Sequence, residues 1–477
     1  MSFRKRTVIR FAKWVGATSQ KIRGGQGATL PGFVARKLYP SILSSLSKDI
    51  KKKTFVVLGT NGKTTINNIL YHALTEEGQT VVINKTGSNM MNGVVSSFIL
   101  ATDKHGNLDA DYACIEVDEI AALSILPQIQ PDYMVLTNIF RDQLDRFGEV
   151  DITFQKLKDA VSKSPNTTLL INGDDVLSYT LALDCNMKFK TYEINEQIFK
   201  DTSRSEIRES IFCRRCGHKL EYNYFHYGQL GDYTCPNCGL TRPAADFNAA
   251  NVTLTERGYE FDTEGRHLIT NDAPYNIYNV LSCYAALRTA GLEIPHFEKM
   301  LEDFDYGNNR EMVYHINGTK IQIHLSKNPI GFQQKITYVL SDPTPKDVII
   351  LINDAYQDGE DVSWLWDVDF QYLGNANANS IIATGKRCYD MRLRLKYEDI
   401  PCEVSEKLRD AICDCIDNRT DNVYLIVNYT GLYSSNALIK RIAAEYKERN
   451  KGLNNTSAAN PTNAESNKQD VPNKKED

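Results

Sequence analysis

The sequence predicts an α/β protein: a parallel sheet built around a glycine loop, an inserted four-cysteine ribbon, and a second α/β unit after it. Three observations carry this. Apolar runs of strand length alternate with helical patterns through most of the 477 residues. An apolar strand, Thr54–Leu58, runs straight into Gly59-Thr60-Asn61-Gly62-Lys63-Thr64-Thr65 and then a helix. Four of the eleven cysteines form two C-x-x-C pairs, Cys213/Cys216 and Cys235/Cys238, with 18 residues between the pairs.

Composition sets the bounds. With 42% hydrophobic and 24% charged residues the chain is an ordinary globular protein of two or three domains, which excludes collagen-like, disordered and disulfide-scaffold classes. Residues 1–53 carry 13 Lys/Arg and only Asp49, against 42 basic and 59 acidic residues in the remainder. The basic segment points to an anionic surface near the N-terminus, and the acidic remainder argues against nucleic acid. Met1–Lys21 has no signal-type apolar stretch, and no run of about 18 apolar residues spans a membrane. A reducing cytoplasm is therefore expected, in which paired cysteines read first as metal ligands.

In chain order, a basic helix comes first, with Phe3, Val8, Phe11, Trp14 and Val15 on one face and most of the basic residues opposite, a pattern that suits either a membrane surface or packing on the domain. Leu30–Tyr39 reads as a second short helix. Strand Thr54–Leu58 follows, then a helix from Thr65 to about Leu74, and strands at Val81–Asn84, Tyr112–Val117 and Tyr133–Leu136. The Tyr-rich Cys213–Cys238 insertion interrupts this rhythm, and Tyr275–Gly291 resumes it as a helix. The second unit reads as strand Val348–Ile352, strand Ser380–Ala383, helix Cys388–Leu395, strand Val423–Val427 and helix Ser434–Tyr446. From Asn450 the chain has no aromatic residue and too little apolar surface to order itself, so a disordered tail is expected.

Three segments carry chemistry. The glycine loop presents backbone N–H groups at a helix start, where phosphate oxygens bind; Lys63 adds charge at the transferring phosphate and the Thr64 hydroxyl suits Mg²⁺. Gly59, Thr60, Asn61, Gly62, Lys63, Thr64 and Thr65 are thus the expected ATP contacts, with Lys63 serving phosphate rather than the core. The competing reading, a plain strand–turn–helix with an incidental lysine, fits the context less well. Cys213, Cys216, Cys235 and Cys238 have zinc-ribbon spacing, and four thiolates close a tetrahedral shell with no open position, so the expected Zn²⁺ is structural. Finally, Asp354, Asp358, Glu360, Asp361, Asp367 and Asp369 crowd one loop with Trp364 and Trp366, a pattern closer to a site or partner surface than to a solvated turn.

The loop spelling resembles the ATP loop of the Mur ligases and folylpolyglutamate synthetases. Later segments match in order. Ile115-Glu116-Val117-Asp118-Glu119 ends a strand in acids, and the resemblance makes Glu116 the Mg²⁺ glutamate. Thr137-Asn138 through Asp142-Gln143-Leu144-Asp145-Arg146-Phe147-Gly148 is similar to the family's TN…DHLDR stretch, with Gln143 where the family has histidine. Asn276 and Asn279 resemble its N-x-x-N adenine contact, and Arg310 its hinge arginine. Neither Lys156 nor Lys158 aligns with the lysine that many Mur ligases carbamylate.

Within the family, the chain is most similar to the ATP-dependent, Mur ligase-like subunits of lipid II isoglutaminyl synthases. That resemblance implies a basic N-terminal segment (1–50), a Mur ligase middle domain (51–312) with the zinc ribbon inserted at about 205–245, a Rossmann-like C-terminal α/β domain (313–448) and a tail (449–477). It implies amidation of the α-carboxylate of D-isoglutamate in lipid II through an acyl phosphate. The reaction would run in the cytoplasm or at the inner face of the membrane, where the basic segment would meet lipid. Only about 50 residues precede the loop, too few for the UDP-binding domain of ordinary Mur ligases. No cysteine sits in the G-x-C-x-G elbow of a triad glutaminase. Ammonia is therefore expected from a partner, a GatD-type glutamine amidotransferase whose Cys–His pair needs a third group. Asp361 is the first choice for it, with Asp354 and Asp358 as alternatives. Two other readings compete: a ligase joining an amino acid in a peptide bond, and a zinc-ribbon ATPase or adaptor.

Overall fold

The computed structural model describes residues 3–23, 29–84, 88–142, 149–198, 209–271, 273–305 and 311–457. Two mixed sheets dominate it. The first has nine strands: β1 (Ile50–Leu58), β2 (Val81–Ile83), β3 (Ala110–Glu116), β4 (Tyr133–Leu136), β5 (Thr168–Asn172), β6 (Phe189–Ile194), β9 (Phe247–Thr255), β10 (Gly258–Thr263) and β11 (Arg266–Ile269). Their spatial order is β11-β10-β9-β6-β5-β4-β1-β3-β2. Pairing is parallel from β2 to β9 and antiparallel through β10 and β11. Strand alternation feeds two cores: Phe55 and Val57 of β1 join one, Val56 and Leu58 the other.

Between β6 and β9 lies the four-cysteine insertion, which carries a hairpin, β7 (Glu221–Tyr227) and β8 (Leu230–Thr234). It does not stand apart: Cys213, Leu220, Tyr233, Cys235 and Leu240 are buried in one core of the main sheet.

The second sheet orders its strands β12-β13-β17-β14-β15-β16: β12 (Glu311–Ile316), β13 (Thr319–Leu325), β17 (Asn422–Val427), β14 (Lys346–Leu351), β15 (Ala378–Thr384) and β16 (Glu403–Val404). Only β12 runs antiparallel. Val348 and Ile350 face one core of this sheet, and Ile349 and Leu351 the other.

Several elements differ from the sequence reading. β1 begins at Ile50, four residues early, because Lys51–Lys53 extend its N-terminal end, where Asp109, Asp111 and Asp132 meet them with ion pairs. The acidic, Trp-flanked loop leads into two short 3₁₀ turns, Ser363–Asp367 and Phe370–Asn375. The last helix spans Tyr429–Ser457, past Asn450, where the tail was expected to begin; 458–477 lie outside the described residues. The first helix, α1 (Phe3–Arg23), packs through Lys5, Val8, Ile9, Ala12 and Gly16. Of the apolar face read from the sequence, Val8 is buried, whereas Phe3, Phe11 and Trp14 are exposed.

Candidate functional site

The site starts from strand order. With β1 between β3 and β4, the chain leaves the sheet in opposite directions, and the crevice at the strands' carboxyl ends is where such sheets bind ligands. Three segments meet there: the loop after β1, Glu116 at the end of β3 (paired with Val57), and Asn138 just beyond β4 (whose Leu136 pairs with Leu58).

The loop is held from behind. Asn138 Oδ1 accepts from the Asn61 N–H at 2.9 Å, and the Thr60 N–H donates to the Asn138 carbonyl at 2.9 Å. The Thr60 hydroxyl donates to the Phe140 carbonyl at 3.1 Å and accepts from its N–H at 2.9 Å. Thr60 thus braces the loop. Both glycines are required: Gly59 has φ +110° and Gly62 φ +90°, and a Cβ would lie 2.3 Å from Thr137 Oγ1 and from Asn279 Oδ1, respectively. Lys63, Thr64 and Thr65 form the first turn of the helix that follows, Lys63–Glu76.

Lys63 departs from expectation. It is only 6% exposed; its ammonium donates to the Gly59 and Thr60 carbonyls and pairs with Glu119 at 3.0 Å. Burial pulls its pKa down, but Glu119, Glu116 and Asp142 outweigh that and hold it above the ordinary lysine value. Burial in turn pushes the Glu119 carboxyl up, with Lys63 opposing. The lysine therefore also belongs to the fold.

Glu116 is buried. One carboxylate oxygen accepts from Asn89 Nδ2 at 3.1 Å, while Oε2 has no hydrogen-bond partner. Asn84 clamps the Glu116 backbone through both its N–H and its carbonyl. Asp142, also buried, pairs with Lys327 at 2.6 Å and leaves Oδ1 unpartnered. Buried, unsatisfied carboxylate oxygens beside the loop suit a hard cation.

A cleft opens in front of the loop. Asn61, Gly62, Thr65, Asn138, Asn276 and Asn279 line it, joined by Tyr227 of the ribbon hairpin, Tyr275, and Gly331 and Lys335 of the helix Pro329–Ser341. Asn276 and Asn279 open the helix Tyr275–Thr289 and are bonded to each other at 2.6 Å. The second sheet closes the far side: Asn328, which caps Pro329–Ser341, reaches Asn61 Oδ1 at 3.1 Å, and Arg141 pairs with Asp367 at 2.8 Å. Glu119 and Asp142 stood in quoted motifs without a role of their own, and Lys327, Asn328 and Lys335 escaped the sequence reading. The dipeptide Asn328-Pro329 was the one helix-start signal available for any of them. Arg310 lies outside the described residues, as do 143–148 of the DHLDR-like stretch.

In the ribbon, the Sγ atoms of Cys213 and Cys238 are 3.6 Å apart and those of Cys216 and Cys235 3.4 Å, with all four inside 4.8 Å. Zn–S bonds of about 2.3 Å at tetrahedral angles give S···S edges near ~3.8 Å, so donors and spacing fit zinc. The two knuckles are copies: Gly217 N–H donates to Cys213 O at 2.8 Å and Gly239 N–H to Cys235 O at 3.0 Å. The hairpin tip reaches the site, where Gln229 donates to the Ile139 carbonyl at 2.8 Å and Phe140 packs on Tyr227.

The acids of the Trp-flanked loop do not line the cleft. Asp354 is paired with Lys386 (2.6 Å) and Arg387 (2.8 Å), whose hydrogen bonds hold its pKa below the usual range. Asp358 is buried and accepts from the Thr430 N–H at 2.7 Å and from its hydroxyl at the start of the last helix. Asp361 is half-buried and, among the described residues, accepts from nearby Ser363, at 2.7 Å from its N–H; the bonds to Ser363 hold its carboxyl low. Trp364 is buried against Phe332, and Trp366 is half exposed beside Tyr397.

The Mur ligase middle domain matches residues 57–287, and the MurT ligase C-terminal domain matches 325–432. Over 437 residues the chain is 32% identical to the lipid II isoglutaminyl synthase (glutamine-hydrolyzing) subunit MurT of Staphylococcus aureus strain COL, covering 90% of this chain and 96% of that one. The chain belongs to the MurT family. The Streptococcus pneumoniae R6 MurT subunit is also 32% identical, with the same coverage. In solved structures the MurT-type fold extends to other ligases. A Methanothermus fervidus pseudomurein peptide ligase type C has TM-score 0.66 at 19% identity, covering 83% of this chain and 80% of that one. Thermotoga maritima MurF in complex with ADP has 0.61 at 14%, covering 87% and 85%. This is an α/β ligase fold with two mixed sheets.

Proposed function

We propose that this chain is the ATP-dependent subunit that amidates the α-carboxylate of D-isoglutamate in the lipid II stem peptide, giving D-isoglutamine. The observation that carries the reading is the MurT-specific C-terminal match, which sets the chain apart from ligases that add amino acids. The supporting parts are 51–312 as the P-loop ATPase domain, about 205–245 as its ribbon, and 313–448 as the Rossmann-like C-terminal domain, with 1–50 before and 449–477 after.

The loop amides of Gly59–Thr65 take the ATP phosphates, with Asn138 fixing Asn61 behind them and Asn276 and Asn279 meeting the adenine side. Lys63 turns from Glu119 to the terminal phosphate. A Mg²⁺ ion would be held by Thr64 and Glu116, whose unpartnered Oε2 fits it, and would neutralise phosphate charge. The substrate carboxylate attacks the γ-phosphorus, the bond to ADP breaks, and an acyl phosphate forms. Ammonia attacks its carbonyl carbon, the C–O bond to phosphate breaks, and one ammonia proton ends on the leaving phosphate, giving the amide and hydrogen phosphate. The lysine at the terminal phosphates disfavours an adenylate route. The ribbon zinc supplies cross-linking alone, since four thiolates leave no reactive position.

Ammonia comes from a GatD-type glutamine amidotransferase bound to this subunit. Asp361 completes its Cys–His pair: among the described residues it has neither the cationic partners of Asp354 nor the bonds that tie Asp358 to the start of the distant last helix, and its own contact is the local one to Ser363. Among the described residues no helix is long and apolar enough to cross a membrane; we place the reaction in the cytoplasm, at the inner face of the membrane. The test is to incubate the chain with lipid II, ATP and ammonium. Amidation lowers the intact mass by about 1 Da, and an unchanged mass alongside ATP hydrolysis would reject the reading.

A further inference from the structure

α1 has two apolar stripes. The inner one, Val8, Ile9, Ala12 and Gly16, is buried, and Lys5 beside it is neutralised by Asp49 at 2.6 Å. The outer one is aromatic: Phe3 is 87% exposed, Trp14 63% and Phe11 46%, with the Phe11 and Trp14 rings stacked 5.9 Å apart. At about 100° per residue these three occupy an arc of roughly 80° opposite the buried stripe. Exposed Arg6 and Arg10 border the arc on one side and exposed Arg4 on the other. The antiparallel neighbour α2 (Leu30–Leu38) is set by Gly16, where a Cβ would lie 2.6 Å from Pro31, and by Arg4 donating to the Leu38 carbonyl. It adds Phe33, 45% exposed, with the Lys37 ammonium 5.2 Å from its ring centre.

A helix facing only water gains nothing from an aromatic outer pole. Aromatic rings ringed by arginine and without acids are what a helix lying at an anionic headgroup layer presents. A protein interface disfavours such unpaired cations at its centre. The one acid in residues 1–53, Asp49, is already taken by Lys5. We propose that the outer face of α1, with α2 beside it, docks on the surface of a bilayer containing anionic phospholipid. This rests on the functional reading above and deepens it, because a lipid-linked substrate presents its peptide at that surface.

The test uses the full chain and vesicles of phosphatidylglycerol with phosphatidylcholine, or of phosphatidylcholine alone, read by co-sedimentation. The phosphatidylglycerol vesicles should bind the protein, with affinity falling as salt rises, and phosphatidylcholine alone should bind at least about tenfold more weakly. Each basic side chain at an anionic surface is worth about fivefold, so Arg6→Ala/Arg10→Ala should weaken binding by about 25-fold. Phe11→Ala/Trp14→Ala should weaken it by about tenfold or more, while thermal melting stays unchanged because these rings are exposed. Absence of binding to the anionic vesicles, or binding undiminished in both variants, overturns the proposal. So does lipid-free self-association that Phe11→Ala/Trp14→Ala abolishes, which would make the face an interface between copies. Amidation of a soluble stem-peptide analogue, measured in parallel, reports separately on the functional reading.

Discussion

Replacing Lys63 by alanine should damage both chemistry and fold. The substitution removes one positive charge from a site ringed by Glu119 at 3.0 Å and by Glu116 and Asp142, with the side chains of Lys63 and Glu119 only 7% and 3% exposed. Breaking a buried pair by deleting one partner costs about 3–5 kcal/mol, mostly because the other charge is left without compensation. At about 2–4 °C per kcal/mol for a domain of this size, Tm should fall by roughly 6–20 °C. Removing the orphaned charge as well, in Lys63→Ala/Glu119→Gln, should recover more than half of that loss without recovering activity. Thermal unfolding at neutral pH and ATP-driven amidation, measured on all three proteins, test this. A single variant that melts with the wild type would refute the buried pair. Turnover at the wild-type rate in either variant would refute the placement of ATP on this loop.

Four further outcomes follow from the geometry. Freshly purified protein should hold about one zinc per chain, and Cys213→Ser should lose it and loosen the 209–242 insertion, read by metal analysis and limited proteolysis. Asp361→Asn should lose glutamine-driven amidation with the partner present yet keep ammonium-driven amidation; equal loss with both nitrogen sources would move Asp361 into the ligase site. Gly62→Ala should raise the KM for ATP about tenfold or more, because positive φ and the Asn279 contact both forbid a Cβ; unchanged ATP kinetics would contradict the cleft. Glu193, whose carboxyl burial and then Asp174 push up to about 8 against the opposing Arg242, binds more protons folded than unfolded between about pH 4.5 and 8. Stability should therefore fall as pH rises through that window, and melting curves of Glu193→Gln should lose that slope.

What the sequence disclosed follows from how local each signal is. The loop, the cysteine knuckles and the acids at the end of β3 are contiguous motifs, and each sits where its neighbours in the chain imply. Roles that depend on a partner far along the chain were hidden. Glu119 and Lys63 stand in separate motifs, and only the β1–β3 pairing joins them. Lys327 and Asp142, Asn328 and Asn61, and Asp367 and Arg141 connect two sheets whose docking no local pattern encodes. Thr60 read as a phosphate contact because its motif is; its hydroxyl is taken by the Phe140 backbone. The first helix was legible only in part, for a different reason. The sequence grouped Val8 with the aromatic residues as one apolar face, but the helix carries apolar residues on both poles, and the smaller Val8, Ile9 and Ala12 are the buried ones.

The central claim is that ATP activates a lipid-linked carboxylate as an acyl phosphate on this chain. Lipid II carrying ¹⁸O in the D-isoglutamate α-carboxylate, incubated with the protein, ATP and ammonium, tests it most directly. The account predicts one ¹⁸O atom in inorganic phosphate for each amide formed, with ADP as the nucleotide product. Label in AMP, or label absent from phosphate while amide accumulates, would contradict it.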